Sequence, residues 1–215
     1  MSKHVVICGG GVIGCATAYF LAATGTKVTV IESDGIASGA SGAAAGILSR
    51  PSTDNTNDPL FEIRMAGFNL HQKLAQTLPS ESGVQYDYSV TPRVIVPNNE
   101  TEVSELLNRL SSVELAESSA ELLDANALAK QTGWIDKTRY GGAFLDAGAQ
   151  VDPYKFTLAL VAAAERSGVK FITGKVTGIK LNNQSFQSVT VDHKTISGDA
   201  CLLTMGPWAK DASPW

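Results

Sequence analysis

The stretch VVICGGGVIGCATAYFLAATGTKVTVIE, residues 5–32, decides the fold. An apolar run leads into three glycines, a helix-like segment follows them, and a second apolar run ends at Glu32. Gly9 supplies a sharp turn, Gly11 lets the backbone approach a pyrophosphate, and Gly14 lets the helix pack closely on the strand. Glu32 follows Gly14 by 32 − 14 = 18 residues, where an acid accepts hydrogen bonds from a ribose. The stretch therefore predicts a βαβ unit that binds a dinucleotide.

The start of the predicted helix is the expected position of the diphosphate. Unpaired N–H groups and the positive end of the helix dipole favour negative charge there without a basic side chain. We therefore count Val12 and Ile13, at the helix start, and Ser33, next to Glu32, among the candidate contacts. The alternative is an ordinary βαβ unit in which Glu32 is only a surface residue at a strand end.

Composition narrows the class of partner. The chain has 215 residues, of which 44% are hydrophobic, so it can bury a sizeable core in one domain or two. The net charge is −4, and no run of Lys or Arg provides the basic surface of a nucleic-acid binder. We expect a small-molecule partner, no nucleic acid and no membrane span.

The cysteines and the amino-terminal sequence indicate the cellular compartment. Cys8, Cys15 and Cys201 lie in apolar segments without metal-ligand spacing, so we expect buried thiols, no metal site and a reducing compartment. The sequence from Lys3 carries no further Lys, Arg, Asp or Glu until Lys27, which superficially resembles a secretory signal. Three consecutive glycines would break such a helix, so we predict a cytoplasmic protein.

The rest of the chain predicts an interrupted α/β domain. Asp58 and Pro59 predict the start of a helix to about Leu78, on which a stripe of apolar residues predicts core packing: Leu60, Ile63, Gly67, Leu70 and Leu74. Asp152 and Pro153 predict another helix start. We expect a nucleotide-binding domain from residues 1–80 and 150–215, with an inserted α+β domain portion at 81–149.

Further short elements follow from apolar patterning. The predicted strands are Tyr86–Ser89 and Arg93–Val96, separated by Pro92, then Gly141–Leu145, Val169–Ile172, Val176–Leu181, Gln187–Val191 and a buried returning strand at Ala200–Thr204. The predicted helices are Glu102–Leu110, Ala125–Thr132 and Asp152–Ser167.

Four stretches together resemble the FAD-dependent oxidoreductases of the D-amino-acid oxidase family. They are residues 5–32, ASGASGAAAGILS at 37–49, GAQVDPYKFTLALVAAAERSGVKFITGKVTGI at 148–179, and CLLTMGPWAKD at 201–211. The second stretch is the specific one, because an ordinary NAD dehydrogenase has no reason to follow its acid with so many small residues. The resemblance implies an α/β, Rossmann-like FAD-binding domain with an inserted α+β portion of a substrate domain, apparently truncated.

The same resemblance implies the cofactor contacts. Ser41 and Gly42 would contact the pyrophosphate or ribityl chain, and residues 45–47 would line the flavin ring. The backbone of Val176 would meet the adenine, and Gly206 would form a turn beside the flavin. The full set of expected contacts is Gly9, Gly11, Val12, Ile13, Gly14, Glu32, Ser33, Ser41, Gly42, Ala45, Gly46, Ile47, Val176 and Gly206. The alternative for the small-residue stretch is a flexible loop.

The implied reaction is oxidation of a CH–NH bond in an amine or amino acid, carried out by the flavin. We expect non-covalent FAD, because the position where some members tether it through an early histidine is Ala43 here. Family members continue well beyond the last matching stretch, where an arginine pairs with the substrate carboxylate. No side-chain base is strictly required when the substrate amine arrives neutral, so no catalytic residue is assigned. Two alternatives remain, a non-catalytic FAD-binding or regulatory short form and an NAD-dependent reductase. We also expect self-association through an uncovered sheet edge.

Overall fold

The chain folds into two compact units. A computed structural model describes residues 3–51, 58–111, 120–136 and 138–215. The first unit is drawn from Met1–Gly46, Leu74–Tyr86 and Asp152–Trp215, and the second from Ile47–Lys73 and Asp87–Val151. The glycine-rich stretch therefore belongs wholly to the first unit. No helix among the described residues combines the length and the apolar character needed to cross a membrane.

Strands and helices alternate irregularly along the chain. In chain order they are β1 (His4–Cys8), α1 (Val12–Ala23), β2 (Lys27–Glu32), β3 (Ile47–Ser49), α2 (Phe61–Ser82), β4 (Ser89–Ile95), α3 (Glu100–Ser111), β5 (Ala120–Leu123), α4 (Ala125–Thr132), β6 (Gly142–Gln150), α5 (Pro153–Arg166), β7 (Lys170–Thr173), β8 (Val176–Asn182), β9 (Ser185–Val191), β10 (Lys194–Ser197) and β11 (Ala200–Leu203). A 3-10 helix, Gly206–Ala212, follows β11.

A four-stranded parallel sheet organises the first unit. Its strand order is β11-β1-β2-β7, so β1 pairs with β2 on one side and with the distant β11 on the other. This arrangement confirms the predicted α/β fold. One expectation about β11 is wrong: the strand lies at the edge of the sheet rather than being buried, and Leu202 and Leu203 are 38% and 42% exposed.

The two faces of the parallel sheet are covered differently. Ile7 of β1 packs against Ala18 of α1 and Ala164 of α5, whose small side chains let both helices approach the sheet. Successive strand residues point to opposite faces. Val6 therefore packs on the other face, against Val189 of the antiparallel sheet β10-β9-β8. The first unit is thus three layers, with its core on both sides of β1.

The boundaries of α5 follow the predicted capping signals. The Asp152 side chain accepts a hydrogen bond from the Lys155 N–H at 2.9 Å. Pro153 occupies the first turn, where the helix does not use the backbone N–H that proline lacks. Gly168, with a φ of +90°, follows the helix end. The carboxylate of Asp152 is therefore used in helix capping, as its sequence context predicts.

The second unit contains an antiparallel sheet in the order β3-β6-β4, with β5 also paired to β6. The two strands expected on either side of Pro92 are instead one strand, β4, whose register shifts between Thr91 and Arg93. A bulge at this point accommodates a residue that has no N–H to donate. Tyr86, the expected start of the first strand, lies outside it and is only 1% exposed.

Helix α2 differs from expectation at both ends and on its apolar face. It begins at Phe61 and continues to Ser82, past Pro79. The predicted stripe is buried only towards the carboxyl end, at Leu74. Leu60, Ile63 and Leu70 are 51%, 69% and 38% exposed. Helical periodicity identifies residues that share a face, whereas the burial of that face depends on what packs against it.

Candidate dinucleotide site

Glycine is required sterically where β1 turns into α1. Gly9 has a φ of +117°, and a Cβ there would lie 2.5 Å from the carbonyl oxygen of Thr204. A Cβ on Gly14 would lie 2.1 Å from the carbonyl oxygen of Gly9. The Thr204 hydroxyl donates to that same oxygen at 3.0 Å. Thr204, the residue that follows β11, therefore packs against the glycine turn. The sequence pattern had not indicated this contact.

Gly10, which sequence reasoning passed over, orients the acidic side chain. Its N–H donates to Glu32 Oε2 at 2.7 Å, and a Cβ on Gly10 would lie 2.9 Å from the Cβ of Glu32. The other carboxylate oxygen accepts from the Asp34 N–H at 3.0 Å and from the Ser33 hydroxyl at 3.2 Å. Three consecutive glycines were the available signal for this close approach. The Glu32 carboxylate is held at the end of β2 by two backbone donors.

Ser41 joins the small-residue segment to the start of α1. Its Oγ accepts a hydrogen bond from the Val12 N–H at 2.9 Å, which satisfies one of the unpaired donors of the first turn. The Oγ would lie 2.9 Å from a Cβ on Gly11. Gly11 therefore provides the space in which Ser41 reaches the helix. Ile13, also expected here, is 65% exposed.

The small-residue segment is built from hydrogen-bonded turns. The Ala37 N–H donates to the Gly10 carbonyl at 3.0 Å, and the Gly42 N–H donates to the Ala37 carbonyl at 3.0 Å. A Cβ on Gly42 would lie 2.2 Å from that Ala37 oxygen. Ala37 itself has a φ of +56°, which is uncommon for a residue with a Cβ. Small residues are thus needed for the path of the backbone in this segment.

A cleft of about 670 Å³ lies along these elements in the first unit. It brings together seven of the expected residues, which are Gly9, Gly11, Glu32, Ser33, Ser41, Val176 and Gly206. Six other expected residues of the first unit do not line it, namely Val12, Ile13, Gly14, Gly42, Ala45 and Gly46. Ile47 begins β3 of the second unit and is 71% exposed.

Two further segments line the cleft. Of their residues, only Val176 and Gly206 were predicted from the sequence. The loop between β7 and β8 contributes Gly174 and Lys175, and the start of β8 contributes Val176 and Thr177. The segment after β11 contributes Trp208, whose ring would lie 3.0 Å from a Cβ on Gly39, and Trp215. Both segments reach the cleft through strand pairing over long sequence distances, which local patterning does not reveal.

Two buried thiols near the cleft, those of Cys8 and Cys15, have raised pKa values, which favours their protonated form. The Sγ atoms of Cys8 and Cys201 lie 3.8 Å apart, and this shared hydrogen bond, together with burial, raises the pKa of Cys8. Burial raises the pKa of Cys15 to about 12, and the nearby charge of Glu32 adds to the effect. Cys8 and Cys15 are 2% and 0% exposed. Both behave as small buried hydrophobic residues, as expected from the sequence.

Comparison with known proteins identifies the family. Residues 4–214 match the family model DAO, described as FAD dependent oxidoreductase. The glycine oxidase of Geobacillus kaustophilus is 26% identical over 207 residues, which are 95% of this chain and 55% of that protein. The mitochondrial pyruvate dehydrogenase phosphatase regulatory subunit of Mus musculus is 26% identical over 209 residues, 96% of this chain and 23% of that protein.

The fold is also similar to solved structures. The crystal structure of glycine oxidase from Bacillus cereus superposes with a TM-score of 0.85 at 25% identity, covering 98% of this chain and 57% of that one. The chain thus spans about half the length of the glycine oxidases that it matches. Because the family match extends over residues 4–214, the chain belongs to the DAO family of FAD-dependent oxidoreductases.

Proposed function

We propose that this chain forms the FAD-binding portion of an oxidoreductase that acts on the CH–NH bond of an amine or amino acid. The observation that carries the proposal is the cleft that connects the glycine turn at Gly9 with the fixed carboxylate of Glu32. An acid at this position suits a ribose diol, and the turn suits a diphosphate. The similarity to glycine oxidases supports the substrate class.

The residues around the cleft fit a dinucleotide. Side chains would collide with backbone at Gly9 and with Ser41 at Gly11, so the backbone surface is bare along the turn. The lining residues include the acids Glu32, Asp34 and Asp211, and among the residues that the structure describes Lys175 is the only Lys or Arg in the lining. A diphosphate would therefore be bound chiefly by backbone N–H groups and the dipole of α1.

Each group of lining residues has a distinct role in this proposal. The turn from Gly9 to Gly11 would hold the diphosphate, Glu32 the adenosine ribose, and the loop at Val176 the adenine. Ser41 and Gly206 would lie towards the flavin end. When bound, FAD supplies a ring system that accepts a hydride from the carbon next to the substrate nitrogen. We propose non-covalent binding, and we assign no catalytic side chain within this chain.

Titration with FAD tests the proposal. We expect the fluorescence of FAD to change on saturable binding to the 215-residue chain, and Glu32→Gln to weaken binding because an amide accepts fewer hydrogen bonds from a diol. Asp136→Asn is the matched control, since Asp136 is an exposed acid of the second unit. A cooperatively folded chain that ignores FAD contradicts the proposal, and tight NAD binding without FAD binding favours an NAD-dependent reductase instead.

A non-catalytic binding or regulatory role is the second candidate. It is favoured by the similarity to a protein named as a regulatory subunit and by the half-length match to the glycine oxidases. Under this proposal the chain binds FAD without turnover. Amine-dependent peroxide production by the 215-residue chain, measured with glycine and with other amino acids, would eliminate this candidate.

We further propose that the protein works in the reducing environment of the cytoplasm. Cys8 and Cys201 are free thiols although their sulfur atoms are 3.8 Å apart. Neighbouring thiols persist in reducing compartments. Fractionation of cells that produce the protein would check this location, and recovery from a secreted fraction would contradict it.

A further inference from the structure

The loop between β7 and β8 forms the side of the cleft next to Glu32. The Gly174 N–H donates to the backbone carbonyl of Glu32 at 2.8 Å, so the loop begins beside the end of β2. Lys175 and Val176 follow and line the cleft. The loop therefore borders the cleft at the end where the Glu32 carboxylate lies.

Asp192 holds this loop from outside the cleft. Its two carboxylate oxygens each lie 3.3 Å from the Lys175 nitrogen, whose N–H they share. The Asp192 N–H in turn donates to the Lys175 carbonyl at 3.3 Å. A Cβ on Gly174 would lie 2.6 Å from Asp192 Oδ2, so the carboxylate fills the space above Gly174. Asp192 itself does not line the cleft.

A tight turn aims Asp192 at the loop. Asp192 and His193 connect β9 to β10, and both have positive φ values, +43° and +72°. Two such residues in a row are typical of a type I′ hairpin turn, a conformation that Asp, Asn and Gly tolerate best. Val191 pairs with Val176, which brings the turn beside the loop. The contact thus depends on both a special backbone conformation and a short carboxylate.

We propose that Asp192 is a positioning residue that holds the loop residues Gly174 and Lys175, and with them the start of β8 at Val176, against the adenosine end of the cofactor. The inference rests on the proposed function, because the adenosine is assigned to this end by the Glu32 carboxylate. Asp192 acts through the Lys175 backbone and makes no contact with the cofactor. Without the carboxylate, the Lys175 N–H loses this acceptor, and the loop is held less firmly, by the backbone hydrogen bonds of the Gly174 N–H and the Lys175 carbonyl.

Three variants distinguish the effect of the Asp192 carboxylate from the effect of the turn conformation. Asp192→Gly keeps a residue that favours the type I′ turn and removes the carboxylate, and Asp192→Asn keeps the turn and one acceptor oxygen. His193→Gly is the matched control at the next turn position, which is exposed. The probes are FAD and ADP, since both contain the adenosine diphosphate. Their affinities are measured by titration, and hydrogen exchange is measured at the Lys175 amide without ligand.

We expect Asp192→Gly to weaken the binding of FAD and the binding of ADP by the same factor, roughly fivefold, which is the effect of one net hydrogen bond. Exchange at the Lys175 amide should speed up, Asp192→Asn should recover most of the affinity, and His193→Gly should bind as the wild type does. Unchanged exchange in Asp192→Gly, or unchanged FAD binding, overturns the inference. Weaker binding of FAD by Asp192→Gly, with unchanged binding of ADP, also overturns the inference. A folded wild type that binds neither probe refutes the proposed function instead.

Discussion

At the scale of single residues, the two glycines at positions 14 and 67 allow a direct test of steric need. Both lie in helices, but a Cβ on Gly14 would meet the Gly9 carbonyl oxygen at 2.1 Å, whereas a Cβ on Gly67 would meet nothing within 4 Å. Helical glycine costs about 0.5–1 kcal/mol relative to alanine. Gly67→Ala should therefore stabilise the protein by about that amount.

Gly14→Ala should instead destabilise the protein by about 2–3 kcal/mol, because overpacking against the turn outweighs the gain in helix propensity. Urea denaturation of both variants measures the difference, and an unchanged slope with denaturant identifies a change in stability alone. Equal effects of the two substitutions would show that the close approach of α1 to the Gly9 turn carries no steric constraint.

The Cys15 thiol predicts a loss of stability in alkali. Its pKa in the folded protein is raised from 9.0 to about 12, mainly by burial, so folding favours the protonated form. The contribution to stability is complete below pH 9 and is lost as the pH rises from 9 to about 12. One proton corresponds to about 1.4 kcal/mol per pH unit within this window.

Comparison with Cys15→Ala isolates that contribution. Tyr19 also has a raised pKa, chiefly through burial, and the hydrogen bond between Cys8 and Cys201 raises the pKa of Cys8 while it lowers the pKa of Cys201. Both proteins should therefore lose stability above pH 9, and the variant should do so less steeply by the equivalent of one proton. The free energy of unfolding measured at several pH values provides the slopes. Parallel slopes would mean that Cys15 titrates normally in the folded state.

At the scale of elements, the hairpin turn between β8 and β9 is a site for stabilisation. Asn183 and Gln184 form this turn with φ values of +48° and +62°. Asn tolerates the left-handed region, but Gln pays a steric cost of roughly 1 kcal/mol there that glycine avoids. Gln184→Gly should raise the free energy of unfolding by about 0.5–1 kcal/mol.

The same substitution three residues further along the chain provides the control. Gln187→Gly lies within β9, where glycine loses conformational entropy and side-chain packing, so it should destabilise. Thermal unfolding of both variants measures the two effects. A loss of stability in Gln184→Gly would mean that the Gln184 side chain makes a favourable contact that exceeds its backbone strain.

The elements that could be predicted from the sequence are those with a local signal. Strands β1 and β2 are apolar runs bounded by glycine or charge, and α5 has a capping aspartate followed by proline. Strand β10 was missed because Lys194–Ser197 contains a single apolar residue, Ile196, and forms a strand only by pairing with β9. The type I′ turns were missed because neither contains glycine.

At the scale of the whole molecule, the part of the site that could be predicted is the part with a local sequence signal, and the rest depends on strand pairing between distant residues. Gly9, Gly11 and Glu32 lie within one βαβ unit, so their spacing alone predicted their proximity. Thr204 is 195 residues from Gly9, and its hydroxyl reaches the turn only because β11 pairs with β1. The contact expected for Ile47 stays a prediction, because it rests on a resemblance and Ile47 is the first residue of the second unit.

The edge of the parallel sheet predicts self-association of the 215-residue chain. Strand β11 is an edge strand in the sheet formed by the described residues, with Leu202 and Leu203 38% and 42% exposed. An apolar sheet edge pairs readily with another chain, and a lysine on the edge opposes this. Leu202→Lys should therefore shift the chain from dimers or larger species towards monomer in sedimentation experiments.

Leu107→Lys is the control for this prediction, because Leu107 is 45% exposed but lies on α3 of the second unit. It introduces the same charge, removes a leucine of similar exposure and leaves the sheet edge intact, so it should not alter the distribution of species. Equal effects of the two lysines would assign self-association to general surface hydrophobicity. A wild type that is monomeric and unfolds cooperatively would show that the edge of β11 does not pair between chains.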